Sequence, residues 1–108
     1  MIIKKKLINI SYFIFITSVF LSQNIKADAQ FNQGKKIFVG VGNCATCHTL
    51  KDASSYGNIG PNLNEIKPDI MRVISAVTNG IGVMPAYEGE LSNEEIKAVA
   101  TYVAQSTN

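Results

Sequence analysis

The sequence of 108 residues contains no tryptophan, one histidine and only two cysteines, and charged residues make up only 17% of it. A chain of this length has room for one small domain, which excludes a multidomain enzyme. The net charge of +2 is misleading, because four of the ten basic residues precede residue 30. From Gln30 onward, six basic residues stand against seven acidic ones. We therefore expect no nucleic-acid partner, since the basic patch that such a partner requires is missing.

The first 29 residues have the order of a cleaved secretion signal. Three lysines at 4–6 precede a mostly apolar run over 7–21, and the small-x-small triplet Ala27-Asp28-Ala29 ends the segment. The apolar run is shorter than the ~20 residues that span a bilayer comfortably. The alternative is an uncleaved anchor, and only then would the protein contact a membrane. The sequence thus predicts a signal peptide over 1–29, a domain over 30–108 and export to the periplasm.

Both cysteines and the only histidine lie in one pentapeptide, Cys44-Ala45-Thr46-Cys47-His48. C-x-x-C-H is the attachment motif of c-type haem, in which two thiols add to vinyl groups and the adjacent imidazole ligates the iron. Two residues between the thiols match the span between neighbouring vinyl groups. The motif therefore predicts one covalent haem c bound by Cys44 and Cys47, with His48 as an iron ligand.

Other uses of these three side chains fit the sequence less well. A zinc site needs about four protein ligands, or three when it is catalytic, and an iron–sulfur cluster commonly needs four cysteines. A thioredoxin-like redox pair needs a βαβ context, which the sequence does not offer. A disulfide between Cys44 and Cys47 would close a very short loop and add little stability. Haem attachment is the interpretation that uses all three side chains.

Hydrophobic periodicity predicts an all-α domain of three short helices and long loops. The first helix starts near Phe31 and ends before the glycines at 40–42, the second begins at Pro68 and ends at Asn79-Gly80, and 49–67 is loop. The third helix opens on a capping box, Ser92 with Glu95. The stripes of the last two helices are Ile70, Val73, Ile74 and Val77, and Ile96, Val99, Ala100 and Val103. So thin a core is expected to need the haem at its centre.

Four segments of the sequence resemble the small single-haem class I c-type cytochromes of bacteria, in the order that this family has them. They are Gly34 with Phe38, the C-x-x-C-H pentapeptide, Gly60-Pro61-Asn62-Leu63, and Met84-Pro85-Ala86-Tyr87. The resemblance covers 30–108 and implies the class I cytochrome c fold, with three or more short helices around one covalent haem.

The resemblance also implies roles for individual residues. The Pro61 carbonyl would accept a hydrogen bond from Nδ1 of His48 and so orient the ring. Gly34 would let the first and last helices cross closely, with Tyr102 packed against the first helix. Met84 would be the second axial ligand of the iron.

The second ligand can also be argued from the residues themselves. His48 is the only histidine, so a second imidazole is excluded, and Met1 leaves with the predicted signal. Met71 lies inside a predicted helix, where packing explains it, whereas Met84 lies in a loop held extended by Pro85. The sequence favours Met84, while Met71, a lysine, water or an empty position stay open.

A haem with His and Met ligands leaves no position for a substrate, so the expected function is one-electron transfer and not catalysis. If Met84 does not bind, the alternative is a five-coordinate gas sensor or a peroxidase-like enzyme. The protein is expected to be a free carrier or the cytochrome subunit of an exported oxidoreductase complex. The expected partners are redox proteins in transient contact, namely an exported oxidoreductase and a respiratory acceptor. The stretches Gly-Pro-Asn-Leu and Asn-Gly-Ile-Gly-Val-Met-Pro resemble cytochromes that accept electrons from sulfite dehydrogenases, which implies such a catalytic subunit as a partner.

Overall fold

The computed structural model of the chain describes the backbone of residues 2–108 and the side chains of residues 12–108. Four helices dominate it: α1 (Ile2–Val39), α2 (Leu63–Ile66), α3 (Ile70–Asn79) and α4 (Asn93–Ser106). The strands β1 (Thr49–Leu50) and β2 (Ser55–Tyr56) pair antiparallel, with Thr49 opposite Tyr56. The all-α prediction is confirmed, because this ribbon of two-residue strands is the only sheet in the described residues.

Helix α1 is longer than the sequence predicted. It begins at Ile2, whereas periodicity indicated a helix only from Phe31. No glycine or proline occurs over 2–33, so no residue there interrupts the helix. Its large apolar side chains from Tyr12 to Ile25 are exposed, and Lys4, Lys5 and Lys6 of the predicted signal lie outside the described side chains. Within residues 2–108, no helix has both the length and the apolar content for crossing a membrane.

The crossing of α1 and α4 at Gly34 organises the core. A Cβ at Gly34 would touch the backbone oxygen of Ala98 and lie 2.6 Å from Cβ of Tyr102, so a larger residue would push the helices apart. The ring of Tyr102 packs edge-on against Phe31 and Phe38, with centroids 5.0 and 5.7 Å apart. The predicted close crossing and the predicted aromatic contact are both confirmed.

The ends of the last two helices follow the sequence signals. Ser92 Oγ accepts from the Glu95 N–H at 3.2 Å, and the Glu95 carboxylate accepts from the Ser92 N–H at 2.8 Å. This is the predicted capping box, and such caps contribute about 1 kcal/mol. Helix α3 ends as predicted at Gly80, whose φ of +71° suits glycine.

The start of α3 differs from the prediction. The helix begins at Ile70 and not at Pro68, because the Asp69 carboxylate accepts from the Arg72 N–H at 2.8 Å and so caps the helix. Ile70 is 37% exposed, so the predicted apolar stripe starts one turn later. The other members of both stripes are buried or half-buried: Val73, Ile74, Val77, Ile96, Val99, Ala100 and Val103.

Residues 49–67, predicted as loop, contain the ribbon and α2. The Asn62 side chain accepts from the Asn64 N–H at 3.0 Å and starts α2, and Lys67, with φ of +42°, ends it after four residues. Elements this short hold too few residues for a hydrophobic period to develop. The prediction of loop was therefore wrong for these short stretches.

Asp52 joins this segment to the crossing of α1 and α4. Its Oδ2 accepts from the Tyr102 hydroxyl at 2.7 Å and pairs with Lys35 Nζ at 3.1 Å. The hydrogen bond from Tyr102, followed by that from Lys35, lowers the pKa of Asp52. Burial, together with this bond, raises the pKa of Tyr102. The charged carboxylate therefore stabilises the contact.

Asp52→Asn is expected to lower the free energy of unfolding at pH 7 by less than about 1 kcal/mol, because the ion pair with Lys35 is partly exposed. A carboxyl whose pKa is lowered on folding stabilises the fold above its unfolded pKa, and this contribution is lost as the pH falls through the folded pKa. Urea unfolding of the haem-loaded protein at pH 7 and pH 3 measures the difference, with exposed Glu65→Gln as control. If Asp52→Asn lowered the free energy of unfolding equally at pH 3 and pH 7, the charge of Asp52 would not be responsible for the effect.

Candidate haem site

The C-x-x-C-H pentapeptide forms a tight turn directly after α1. Asn43 adopts a left-handed conformation with φ of +51°, and residues 44–46 form one turn of 3₁₀ helix. The backbone N–H groups of Cys47 and His48 both donate to the Cys44 carbonyl, at 3.1 and 3.0 Å. Thr46 Oγ1 donates to the Asn43 side chain at 2.6 Å and holds the turn closed. The turn places the two thiols and the imidazole on one wall of a cavity.

The two cysteines are free thiols that form no disulfide. Burial raises the pKa of Cys44 to about 11, so its thiol is neutral at pH 7. In the described part of the chain, no group of three His, Cys, Asp or Glu side chains is arranged to bind a metal ion. The pair of unbonded thiols beside one imidazole is the donor set that covalent haem attachment uses.

The His48 ring is held in one orientation. Its Nδ1 lies 2.7 Å from the Pro61 carbonyl oxygen, the contact expected from the family resemblance. A carbonyl only accepts, so Nδ1 carries the proton and Nε2 keeps the lone pair that can bind a metal. Gly60 packs directly against the His48 ring, since a Cβ at this position would lie 2.6 Å from Cε1 of His48. The Gly60 N–H donates to the Cys47 carbonyl at 2.8 Å, which ties this loop to the attachment turn.

Met84 lies in a tight turn after α3 and lines the same cavity as His48. The backbones of Ile81 and Met84 bond to each other twice, at 2.9 and 3.1 Å. Gly80 starts the turn, where a Cβ would lie 2.7 Å from the Met84 carbonyl oxygen. Met71, the other thioether that the sequence left open, is 71% exposed and is absent from the cavity wall. Met71 therefore does not pack in the core, and of the core or helix-flank packing expected for it only the helix flank remains.

The cavity has a volume of about 440 Å³ and walls that are mostly apolar. Its aliphatic lining comes from α2, α3, α4 and two loops: Ile59, Leu63, Ile66, Val73, Val77, Ile81, Val83, Val99 and Val103. The single formally charged side chain among the lining residues is Arg72, on α3. The cavity therefore suits a large apolar group. The thiols of Cys44 and Cys47, the imidazole of His48 and the thioether of Met84 all belong to residues that line it.

Tyr87 was assigned no role by the sequence analysis, although it also lines the cavity. Its hydroxyl donates to the Gly42 carbonyl at 2.5 Å, across 45 residues of sequence. Burial is the largest cause that raises the pKa of Tyr87, so the hydroxyl keeps its proton at neutral pH. The sequence signal that could have drawn attention to Tyr87 is its position three residues after Met84. A sequence pattern does not, however, reveal which group the Tyr87 hydroxyl bonds to.

Comparison with known proteins agrees with this geometry. Residues 29–103 match the family model described as cytochrome c oxidase, cbb3-type, subunit III. A cytochrome c6 of Synechocystis is 34% identical over 83% of this chain and 77% of that protein. The cbb3-type cytochrome c oxidase subunit FixP of Bradyrhizobium is 42% identical, over 65% of this chain but only 25% of FixP. The crystal structure of the c-type cytochrome SorU from Sinorhizobium meliloti superimposes with a TM-score of 0.70 at 51% identity, covering 74% of this chain and 93% of SorU.

The fold and the site together define a small class I c-type cytochrome, a protein that transfers electrons through one covalently bound haem c and is not an enzyme. More particularly, the chain belongs to the family of cytochrome c domains described as cbb3-type oxidase subunit III. The predicted class, cofactor and electron-transfer role are thereby confirmed.

Proposed function

We propose that this protein is an exported one-electron carrier whose single haem is attached through Cys44 and Cys47 and ligated by His48 and Met84. The observation that carries the proposal is that His48 and Met84, 36 residues apart in the sequence, line one cavity together with both thiols. When bound, the haem supplies an iron that accepts and gives up one electron between Fe(III) and Fe(II).

The protein's own residues hold and insulate that group. Pro61 keeps Nε2 of His48 directed away from its carbonyl and available for the iron, since the proton sits on Nδ1. The tight turn at 81–84 holds Met84 in the wall of the cavity, from which its sulfur would bind the iron. The aliphatic walls exclude water, and the Arg72 guanidinium can pair with a carboxylate of the cofactor. With His48 and Met84 as its ligands, the iron would have no position left for a substrate, which supports a carrier.

Export and cleavage after Ala29 are part of the proposal. The support is the exposed apolar surface of residues 12–25, which packs against no core, and the start of the family match at residue 29. We propose the periplasm as the compartment and a free carrier as the form. The carrier form is supported by the likeness to cytochrome c6, since the Synechocystis protein is 34% identical over 83% of this chain.

The proposed partners are an exported oxidoreductase as electron donor and a respiratory acceptor. A sulfite dehydrogenase-like catalytic subunit is the donor that the resemblance of the turns at 60–63 and 79–85 suggests. Six basic against seven acidic residues over 30–108 indicate weak electrostatic steering, so we propose brief contacts made mainly through apolar surface.

The test is expression in a host with haem-attachment machinery, followed by intact mass and a pyridine haemochrome spectrum. We expect a chain starting at Gln30, one haem per chain, a ferric absorption band at the red end of the spectrum from the Met–iron bond, and no carbon monoxide binding. The same gene expressed without the machinery is the control and should yield no haem protein. Tight carbon monoxide binding by the unmutated ferrous protein would contradict the carrier and favour the five-coordinate alternative.

A further inference from the structure

The hydroxyl of Tyr87 makes a hydrogen bond between two segments that lie far apart in the sequence. Its bond to the Gly42 carbonyl joins the segment that carries Met84 to the segment that leads into Cys44. Among the hydrogen bonds of the described residues, it is the only one between residues 80–91 and residues 40–61. The two segments that present the proposed Met84 ligand and the attachment turn are therefore linked directly at this one point.

Both ends of this connection are themselves fixed. The Tyr87 N–H donates to the Val77 carbonyl at 2.8 Å, so the last turn of α3 sets the position of the ring. The Tyr87 carbonyl accepts from the N–H groups of Glu90 and Leu91, at 3.0 and 2.9 Å. At the other end, the Gly42 N–H donates to the Ile37 carbonyl at 2.9 Å, which holds Gly42 against the end of α1. A bond between two anchored points resists separation of the segments that carry them.

We propose that Tyr87 is a positioning residue for the sixth ligand: its hydroxyl holds the 80–91 loop against the attachment segment and so favours the state in which Met84 stays on the iron. The inference rests on the proposed ligation of the iron by Met84. It adds that the Tyr87 hydroxyl controls how easily the Met84–iron bond opens. A phenylalanine would fill the same space in the cavity wall, so packing alone does not require the hydroxyl. Opening of the loop has to break the bond to Gly42, because Gly42 stays with α1.

The test is the affinity of the ferric haem-loaded protein for imidazole, which has to displace Met84 to bind the iron. Tyr87→Phe removes one neutral hydrogen bond and keeps the ring. Since such a bond shifts an equilibrium by about two- to tenfold, we expect imidazole affinity to rise by about that factor. The ferric Met–iron band should remain in the variant, because most molecules still have the loop closed.

Tyr102→Phe is the matched control. It also removes one tyrosine hydroxyl bond, the one to Asp52, but neither Tyr102 nor Asp52 lines the cavity. It should lower the melting temperature and leave imidazole affinity unchanged. Met84→Ala should show the highest imidazole affinity, since imidazole then has no methionine to displace from the iron.

The outcomes separate the two proposals. If the unmutated protein shows the Met–iron band and Tyr87→Phe leaves imidazole affinity unchanged, the role of Tyr87 is overturned while Met84 ligation stands. An equal rise in Tyr102→Phe would also overturn it, because general destabilisation would then explain the effect. If Met84→Ala changes neither the band nor the affinity, Met84 is not the ligand, and both proposals fall. A rise confined to Tyr87→Phe supports the inference.

Discussion

Replacing Cys44 and Cys47 together by alanine is expected to abolish covalent haem and to leave residues 30–108 largely unfolded. In the described residues, the buried core cluster holds thirteen apolar residues, of which only Phe38 and Tyr102 are aromatic, around a cavity of about 440 Å³. Without the haem, the apolar side chains that line this cavity lose the group against which they would pack, and so small a core buries too little surface to offset that loss.

Circular dichroism, thermal melting and intact mass of the double variant measure the effect. The unmutated chain expressed without haem-attachment machinery is the control, because it loses the haem but keeps the cysteines. It should be as unfolded as the variant if the missing cofactor is the cause. A double variant with native helical content and a cooperative melt in the absence of haem would refute the prediction.

Substitution of Met84 is expected to change the iron in two distinct ways. Met84→His should keep a six-coordinate iron and lower its reduction potential by on the order of 0.1 V, because imidazole donates more strongly than a thioether and favours Fe(III). Met84→Ala should remove the sixth ligand and let carbon monoxide bind the ferrous protein. Redox titration and carbon monoxide difference spectra measure both effects.

Met71→Ala is the matched methionine control. Its side chain is 71% exposed and does not line the cavity, so it should alter neither potential nor carbon monoxide binding. Its cost in stability should stay within about 0.5 kcal/mol, as for most surface substitutions. If Met71→Ala opened the iron and Met84→Ala did not, the proposed ligand would be wrong.

Several features were readable from the sequence because their signals are local. The C-x-x-C-H pentapeptide contains both proposed attachment cysteines and one proposed iron ligand within five residues, so it indicates the cofactor without any knowledge of the fold. The capping box needs only Ser92 and Glu95, and the end of α3 needs only Gly80. Gly34 was placed correctly at a helix crossing through the family resemblance. Signals of this kind depend on nearby residues, which the chain order already brings together.

Other local predictions failed where a competing local signal acted. Pro68 suggested a helix start, but the carboxylate of Asp69 bonds to the backbone N–H of Arg72 and shifts the start to Ile70. The apolar run before residue 30 continues as helix because no glycine or proline interrupts it. For both α1 and α3, the hydrophobic pattern was compatible with more than one first residue of the helix. Backbone hydrogen bonding selected one of them.

The sequence alone determined the class of this protein and its cofactor and predicted the three residues of the attachment motif, because these follow from residue types at short fixed spacings. Only the tertiary structure decided which methionine faces the cavity, since Met71 and Met84 differ in surroundings and not in chemistry. It alone paired Tyr87 with Gly42 and Tyr102 with Asp52, over 45 and 50 residues. A hydroxyl can bond to any acceptor, and packing of the helices around the cavity decides which acceptor lies within reach.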